Sequence, residues 1–288
     1  MLTATLIADP ALDRLATDIV QDARDVLAGA APRWLSDHAC ELDCAQGSDG
    51  LWSMLQKKRV DLVVQPSADR RKRVLLADMD STMIQQECID ELAAAAGVGE
   101  HVAGITARAM NGELDFEDAL RERVSLLAGL PVSIIGEVLE SRITLMPGGV
   151  ELVATMRAQG AYCALVSGGF TDFTGPIAAR LGFHEDRANT LVQENGRLTG
   201  VPGDPILGQQ AKVDALHDIT DLLGVAPHDV IAVGDGANDL GMLLTAGAGV
   251  ALHAKPSVAE RARMRLNFAD LHGVLYVQGY HRDEFVTR

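Results

Sequence analysis

Apolar positions recur with two different spacings along the chain, and the spacing changes near residue 74. Before it, LTATLIA (2–8) and residues 40–45 and 60–65 are short apolar runs that read as strands. Residues 11–30 (ALDRLATDIVQDARDVLAGA) place their apolar side chains at helical intervals, and a second helix is expected over 51–58. The polar run 66–73 contains Arg70, Arg71, Lys72 and Arg73 and reads as a solvated linker. A small α+β unit over 1–72 is therefore expected.

From Val74 onward the pattern is that of an α/β protein. VLLAD (74–78) is an apolar run ending in a carboxylate, as in a buried parallel strand. Further strand-like runs at 162–166, 230–233 and 249–252 alternate with helical segments, one of them opening at Pro147. That alternation predicts a parallel sheet with right-handed crossovers, a Rossmann-like core occupying 73–288. Residues 85–140 show helical periodicity and almost no strand signal. They interrupt the alternation directly after its first strand, so they are expected to form an inserted helical cap. Asn195-Gly196 at the centre of 189–200 predicts a hairpin, because both residues accept positive φ.

Composition narrows the function classes. The net charge of −15 argues against nucleic-acid binding, which depends on neutralising phosphates with Lys and Arg. No uninterrupted apolar stretch is long enough to span a bilayer. The first fifteen residues carry Asp9 and Asp13 and no basic region, so no secretory signal is expected, and a cytoplasmic location follows. Cys40, Cys44, Cys88 and Cys163 form no CxxC pair and are expected to be free thiols.

Three strand ends carry candidate chemistry, and in an open parallel sheet ligands bind beyond those ends. The first reads Asp78-Met79-Asp80-Ser81-Thr82. One carboxylate there can attack phosphorus while the other handles a proton, although Asp80 and Ser81 also read as a helix cap. The second, Ser167-Gly168-Gly169, offers a hydroxyl and backbone N–H groups to a phosphate, or is an ordinary glycine turn. The third, Gly234-Asp235-Gly236-Ala237-Asn238-Asp239, places two carboxylates four residues apart. Such hard oxygen ligands suit Mg²⁺; an acidic helix-capping turn is the alternative. Lys212 could neutralise a phosphoryl oxygen, or simply be solvated. If Asp78, Asp80, Asp235 and Asp239 share a cleft, their charges repel one another and a phosphate. A divalent cation, Lys212 and a proton held on Asp80 would restore balance.

DMDST, SGG, Lys212 and GDGAND, in that order, resemble the haloacid dehalogenase superfamily, and within it the phosphoserine phosphatases. The latter carry a Glu nine residues after the nucleophile, here Glu87, then a Met, a Phe and an Arg in the cap, here Met110, Phe116 and Arg123. The resemblance covers about residues 74–280. It implies hydrolysis of O-phospho-L-serine through an aspartyl-phosphate on Asp78, as the last step of serine synthesis, with Asp80 as general acid and base. It implies Mg²⁺ held by Asp78, Asp235 and the backbone carbonyl of Asp80, supported by Asp239. Ser167, Gly168 and Lys212 would hold the phosphoryl group, with Asn238 orienting nearby groups. Glu87 would take the substrate ammonium and Arg123 its carboxylate, while Met110 and Phe116 exclude water. Another small phosphomonoester, hydrolysed or used in phosphotransfer, is the competing substrate. Residues 1–72 loosely resemble a regulatory ACT-like domain; a packing or homodimerising role is expected of them.

Overall fold

A computed structural model of the protein describes residues 1–47, 49–111 and 113–287. The amino-terminal part runs β1 (Leu2–Ala8), α1 (Thr17–Leu27), β2 (Arg33–Ser36), β3 (Ala39–Cys44), α2 (Asp49–Lys57) and β4 (Val60–Pro66). Its strands form an antiparallel sheet in the order β2-β3-β1-β4. Alternation along β1 separates the two faces of this sheet. Ala4, Leu6 and Ala8 pack with Val20, Leu27, Leu51 and Leu55 from the helices, whereas Ile7 joins the core of the larger body. Both faces are thus covered.

Two local readings change. The helix begins at Thr17 rather than near residue 11, because the Asp9 carboxylate accepts the Ala11 N–H at 2.7 Å and turns the chain first. The segment 66–73 is not a solvated linker. Arg70 pairs with the buried Glu41, the Lys72 N–H donates to Gln278, and Arg71 bonds Glu284 at 2.8 Å while lying over the Tyr280 ring. Arg70, Arg71 and Lys72 find partners within the chain while Arg73 stays exposed, so most of a basic run in sequence is a packed seam in the fold.

The larger body follows as β5 (Val74–Ala77), cap helices α3 (Cys88–Ala95), α4 (Gly99–Met110), α5 (Phe116–Ser125) and α6 (Ser133–Ser141), then α7 (Gly149–Ala158), β6 (Tyr162–Phe170), α8 (Thr171–Leu181) and β7 (Glu185–Asn189). A hairpin of β8 (Leu191–Glu194) and β9 (Arg197–Pro202) precedes α9 (Gln209–Leu223), β10 (Val230–Gly234), α10 (Leu240–Thr245), β11 (Ala248–Leu252), α11 (Pro256–Ala259), β12 (Met264–Leu266) and α12 (His272–Val277). Asn195 and Gly196 turn the hairpin with φ of 51° and 72°. The six-stranded sheet, β12-β11-β10-β5-β6-β7, is parallel throughout. Its central strands are fully buried, as the apolar runs predict.

β5 sits between β10 and β6, where the strand order reverses direction, so the crevice at its carboxyl end is the natural ligand position. The cap leaves and re-enters the body through two short segments paired at Ile84 and Leu145. Bonds from Gln85 N to Thr144 O (3.0 Å) and from Met146 N to Met83 O (2.9 Å) fix their spacing. Between the two sheets, Asp61 on β4 accepts the N–H groups of Asn267, Phe268 and Ala269 at 2.9, 3.0 and 2.9 Å. Burial pushes its carboxyl pKa up; those three donors oppose the shift.

Candidate active site

Asp78 follows β5 directly, and its N–H donates to Val233 O at 3.0 Å, extending the sheet by one rung. The chain then turns: Thr82 and Met83 N–H groups both return to Met79 O, and Ser81 takes a φ of 54°. Met79 is buried in the core. The turn brings Asp78 and Asp80, which an extended strand would not present to one crevice in this way, to the same cavity.

Behind Asp78 lies a buried charge cluster. Lys212, on the first turn of α9, places Nζ 2.6 Å from Asp78 Oδ1 and 2.5 Å from Asp239 Oδ1. The other oxygen of Asp239 accepts the N–H groups of Asp235 and Gly236 at 3.1 and 2.9 Å. Carboxylate oxygens of Asp78, Asp235 and Asp239 lie within 4.8 Å of one another. Asp235 Oδ1 accepts from Thr82 at 3.3 Å. Its Oδ2 is buried without a hydrogen-bond partner, and Lys255 Nζ stands 3.8 Å away. The side chain of Asp80 is outside this cluster: it accepts the Cys88 N–H at 2.8 Å and the Ser167 hydroxyl at 3.3 Å.

The electrostatics are those of too many anions in too little water. Burial, then the neighbouring Asp239, raise the pKa of Asp78 to about 7 against the pull of Lys212. Burial and then Asp78 raise Asp80 to about 6. Asp235 is pushed well above the usual carboxylate range by burial and Asp239. Burial alone would discharge Lys212, but its two carboxylate partners outweigh it and hold its proton more tightly than usual. A centre of hard oxygens with one unpartnered oxygen and an excess of negative charge fits a divalent cation.

The cavity in front is walled by body and cap together: Asp78, Asp80, Ser167, Gly168 and Asn238 from one, Glu87, Met110, Phe116 and Arg123 from the other. Two glycines make this closeness workable. A Cβ at Gly168 would lie 2.7 Å from Phe116 Cζ, and one at Gly169 would lie 2.7 Å from Asp80 Oδ2. Glu87 accepts the Ser81 hydroxyl at 2.7 Å. Burial and then Asp80 raise its pKa to about 7. Arg123 is 2% exposed, and its Nε donates to Ala119 O at 3.1 Å. Asn238 Oδ1 is buried without a partner. Nine of the ten residues expected around the substrate line this one cavity; Lys212, expected at the phosphoryl group, stands behind Asp78 with Asp235 and Asp239.

Asn189, at the end of β7, was not among the sequence candidates. It donates to Gly168 O at 2.8 Å and accepts the Leu207 N–H at 2.6 Å, tying the glycine turn to the segment before α9. Nothing in its local sequence distinguishes it from any Asn ending a strand. Asn189→Ala would leave two backbone groups unpaired, and a urea melt is expected to show a loss of about 2 kcal/mol.

The haloacid dehalogenase-like hydrolase family matches residues 75–244. A phosphoserine phosphatase of Vibrio cholerae is 48% identical over 204 residues, 71% of this chain and 62% of that protein. The chain thus aligns with less than two thirds of that relative's length. A solved substrate-bound phosphoserine phosphatase complex is 40% identical with a TM-score of 0.69, covering 71% of this chain and 97% of that one. A haloacid dehalogenase family hydrolase of Salmonella enterica serovar Typhi is 28% identical with a TM-score of 0.84, covering 99% of this chain and 100% of that one. The last match includes the antiparallel sheet as well as the phosphatase-like body.

Proposed function

Because the chain belongs to the haloacid dehalogenase-like hydrolase family, we propose that it is a phosphoserine phosphatase, hydrolysing O-phospho-L-serine to L-serine and phosphate. The observation that carries this reading is the shared cavity. A pair of carboxylates suited to phosphoryl transfer faces an acid and a guanidinium on the cap, Glu87 and Arg123. Phosphoserine presents a phosphate, an ammonium and a carboxylate, one for each.

Asp78 attacks phosphorus, and the bond from phosphorus to the seryl oxygen breaks. Asp80, whose raised pKa keeps a proton available near neutrality, gives that proton to the departing oxygen. Asp80 then takes a proton from water, which attacks the aspartyl-phosphate, and release of phosphate restores Asp78. Ser167, Gly168 and Lys212 hold the phosphoryl oxygens, and Asn238 orients the groups beside them. Glu87 gives up its proton as the substrate ammonium arrives. Phe116 and Met110 close the water-side wall.

The carboxylate cluster fits Mg²⁺, held by Asp78, Asp235 and the backbone carbonyl of Asp80, with Asp239 supporting. Bound there, the ion would neutralise charge on the phosphoryl group. Its binding has a thermal signature. Raised carboxylate pKa values mean that the metal-free folded state keeps protons the unfolded chain has lost, so stability falls as pH rises from about 4 through 7. The melting temperature gained on adding Mg²⁺ to EDTA-treated protein is therefore expected to grow between pH 5 and pH 8; a constant gain would contradict the site.

Residues 1–72 form, on this reading, a separate packing or dimerising domain, and the enzyme supplies serine in the cytoplasm. A panel of phosphomonoesters with and without Mg²⁺ tests the function. Phosphoserine should be turned over with the highest kcat/KM; another small phosphomonoester ahead of it would move the assignment to a different phosphatase or phosphotransferase.

A further inference from the structure

Arg123 is held by more than its own helix. Its Nη1 donates to Thr106 Oγ1 at 3.0 Å, and the Thr106 hydroxyl in turn donates to Asp90 Oδ1 at 2.6 Å. Asp90 is on α3, Thr106 on α4 and Arg123 on α5, so one polar chain crosses three cap helices. Thr106 is 3% exposed and Arg123 2%. The hydroxyl has a single proton, and giving it to Asp90 turns the oxygen's lone pairs toward the guanidinium. Such a chain polarises along its length and strengthens each bond.

The consequence is geometric. A guanidinium is planar and rigid. With Nε on the Ala119 carbonyl and Nη1 on Thr106, its plane is fixed in a side chain that lines the cavity. No hydrogen bond to Nη2 joins it to another described residue. An arginine free to turn would lose rotational freedom on meeting a carboxylate; this one has lost it in the folded state.

We propose that Thr106, backed by Asp90, is a positioning residue that sets specificity for substrates bearing a carboxylate beside the phosphate ester. This rests on the phosphoserine reading above and adds what makes Arg123 selective. A bland alternative is that Thr106 only ties helices together. The two differ in what they do to a substrate without a carboxylate, because a loosened cap harms every substrate while a misaligned guanidinium harms only those it binds.

The test compares O-phosphoserine with O-phosphoethanolamine, which keeps phosphate and ammonium and lacks the carboxylate. Thr106→Val removes the hydroxyl at nearly constant shape. It is expected to raise KM for phosphoserine about 10-fold, with kcat within about twofold and phosphoethanolamine turnover unchanged. Thr106→Ser, which restores a hydroxyl, should recover most of the loss. Asp90→Asn guards against a Val variant that fails to fold; it should shift KM in the same direction by less and with the same substrate selectivity. Equal losses on both substrates, or no change on either, overturn the proposal. Wild-type protein that does not prefer phosphoserine to phosphoethanolamine overturns the functional reading itself, and that result is read before any variant is made.

Discussion

Asp78→Asn should release phosphate from phosphoserine at least about 10³-fold more slowly than the wild type, at any substrate concentration. The amide is nearly isosteric with the carboxylate but cannot form the acyl-phosphate, so positioning survives and the covalent step does not. The fold should survive as well. Burial already penalises the charge on Asp78, so a neutral side chain there relieves repulsion with Asp239 while costing Lys212 one of two partners. The melting temperature is therefore expected to stay within a few degrees of the wild type. Phosphate release together with a thermal melt checks both halves. Retention of more than a tenth of the activity would remove Asp78 from the nucleophile's role, and loss of activity accompanied by unfolding would leave the chemistry to be tested by Asp78→Glu, which keeps the charge and displaces it.

Sequence carried the architecture of this site well, for a physical reason. Parallel strands covered on both faces must be apolar, so VLLA and VIAV stand out, and the residues following them are placed at the crevice by topology alone. The cap is visible as helical periodicity breaking a regular alternation, and the described residues form four helices there. What sequence did not disclose is what depends on contacts between distant segments. Four-residue β2 has no periodicity long enough to register. The basic run at 70–73 looked solvated because its partners, Glu41 and Glu284, come from elsewhere in the chain. Asn189 and Thr106 act through hydrogen bonds to groups far from them in sequence, and no spacing rule encodes such bonds. The turn at Ser81 was similarly silent: a non-glycine residue at positive φ is set by what surrounds it.

The charge arrangement gives the site its character. Carboxylates from two strand ends are brought closer than their mutual repulsion favours, and a lysine buried at 1% exposure is the sole ammonium within bonding distance of Asp78 and Asp239 among the described residues. The fold can hold this cluster because each excess charge has a counterpart that is either permanent, as Lys212 is, or exchangeable, as a proton or a metal ion is. An exchangeable counter-charge leaves room for a phosphate to enter and depart.

Lys212→Met isolates the permanent part of that balance, and its effect should depend on pH in a definite direction. Methionine fills the volume and removes the ammonium, leaving Asp78 and Asp239 without their cation. Breaking a buried ion pair in this way costs about 3–5 kcal/mol when the remaining charge must stay ionised. Here the carboxylates can escape by taking up protons. Without Lys212 the folded-state pKa of Asp78 rises further, and a raised carboxylate pKa contributes stability at low pH that is lost as pH climbs through it. The melting temperatures of wild type and variant, both in EDTA, should accordingly lie close together at pH 5 and separate widely at pH 8. Activity should fall about 10²-fold or more throughout, because the phosphoryl oxygens lose a donor that no proton on a carboxylate replaces. A gap that narrows toward pH 8 would mean that Lys212 is not balancing these anions, and the assignment of Asp78 as a carboxylate held ready beside it would fail with it.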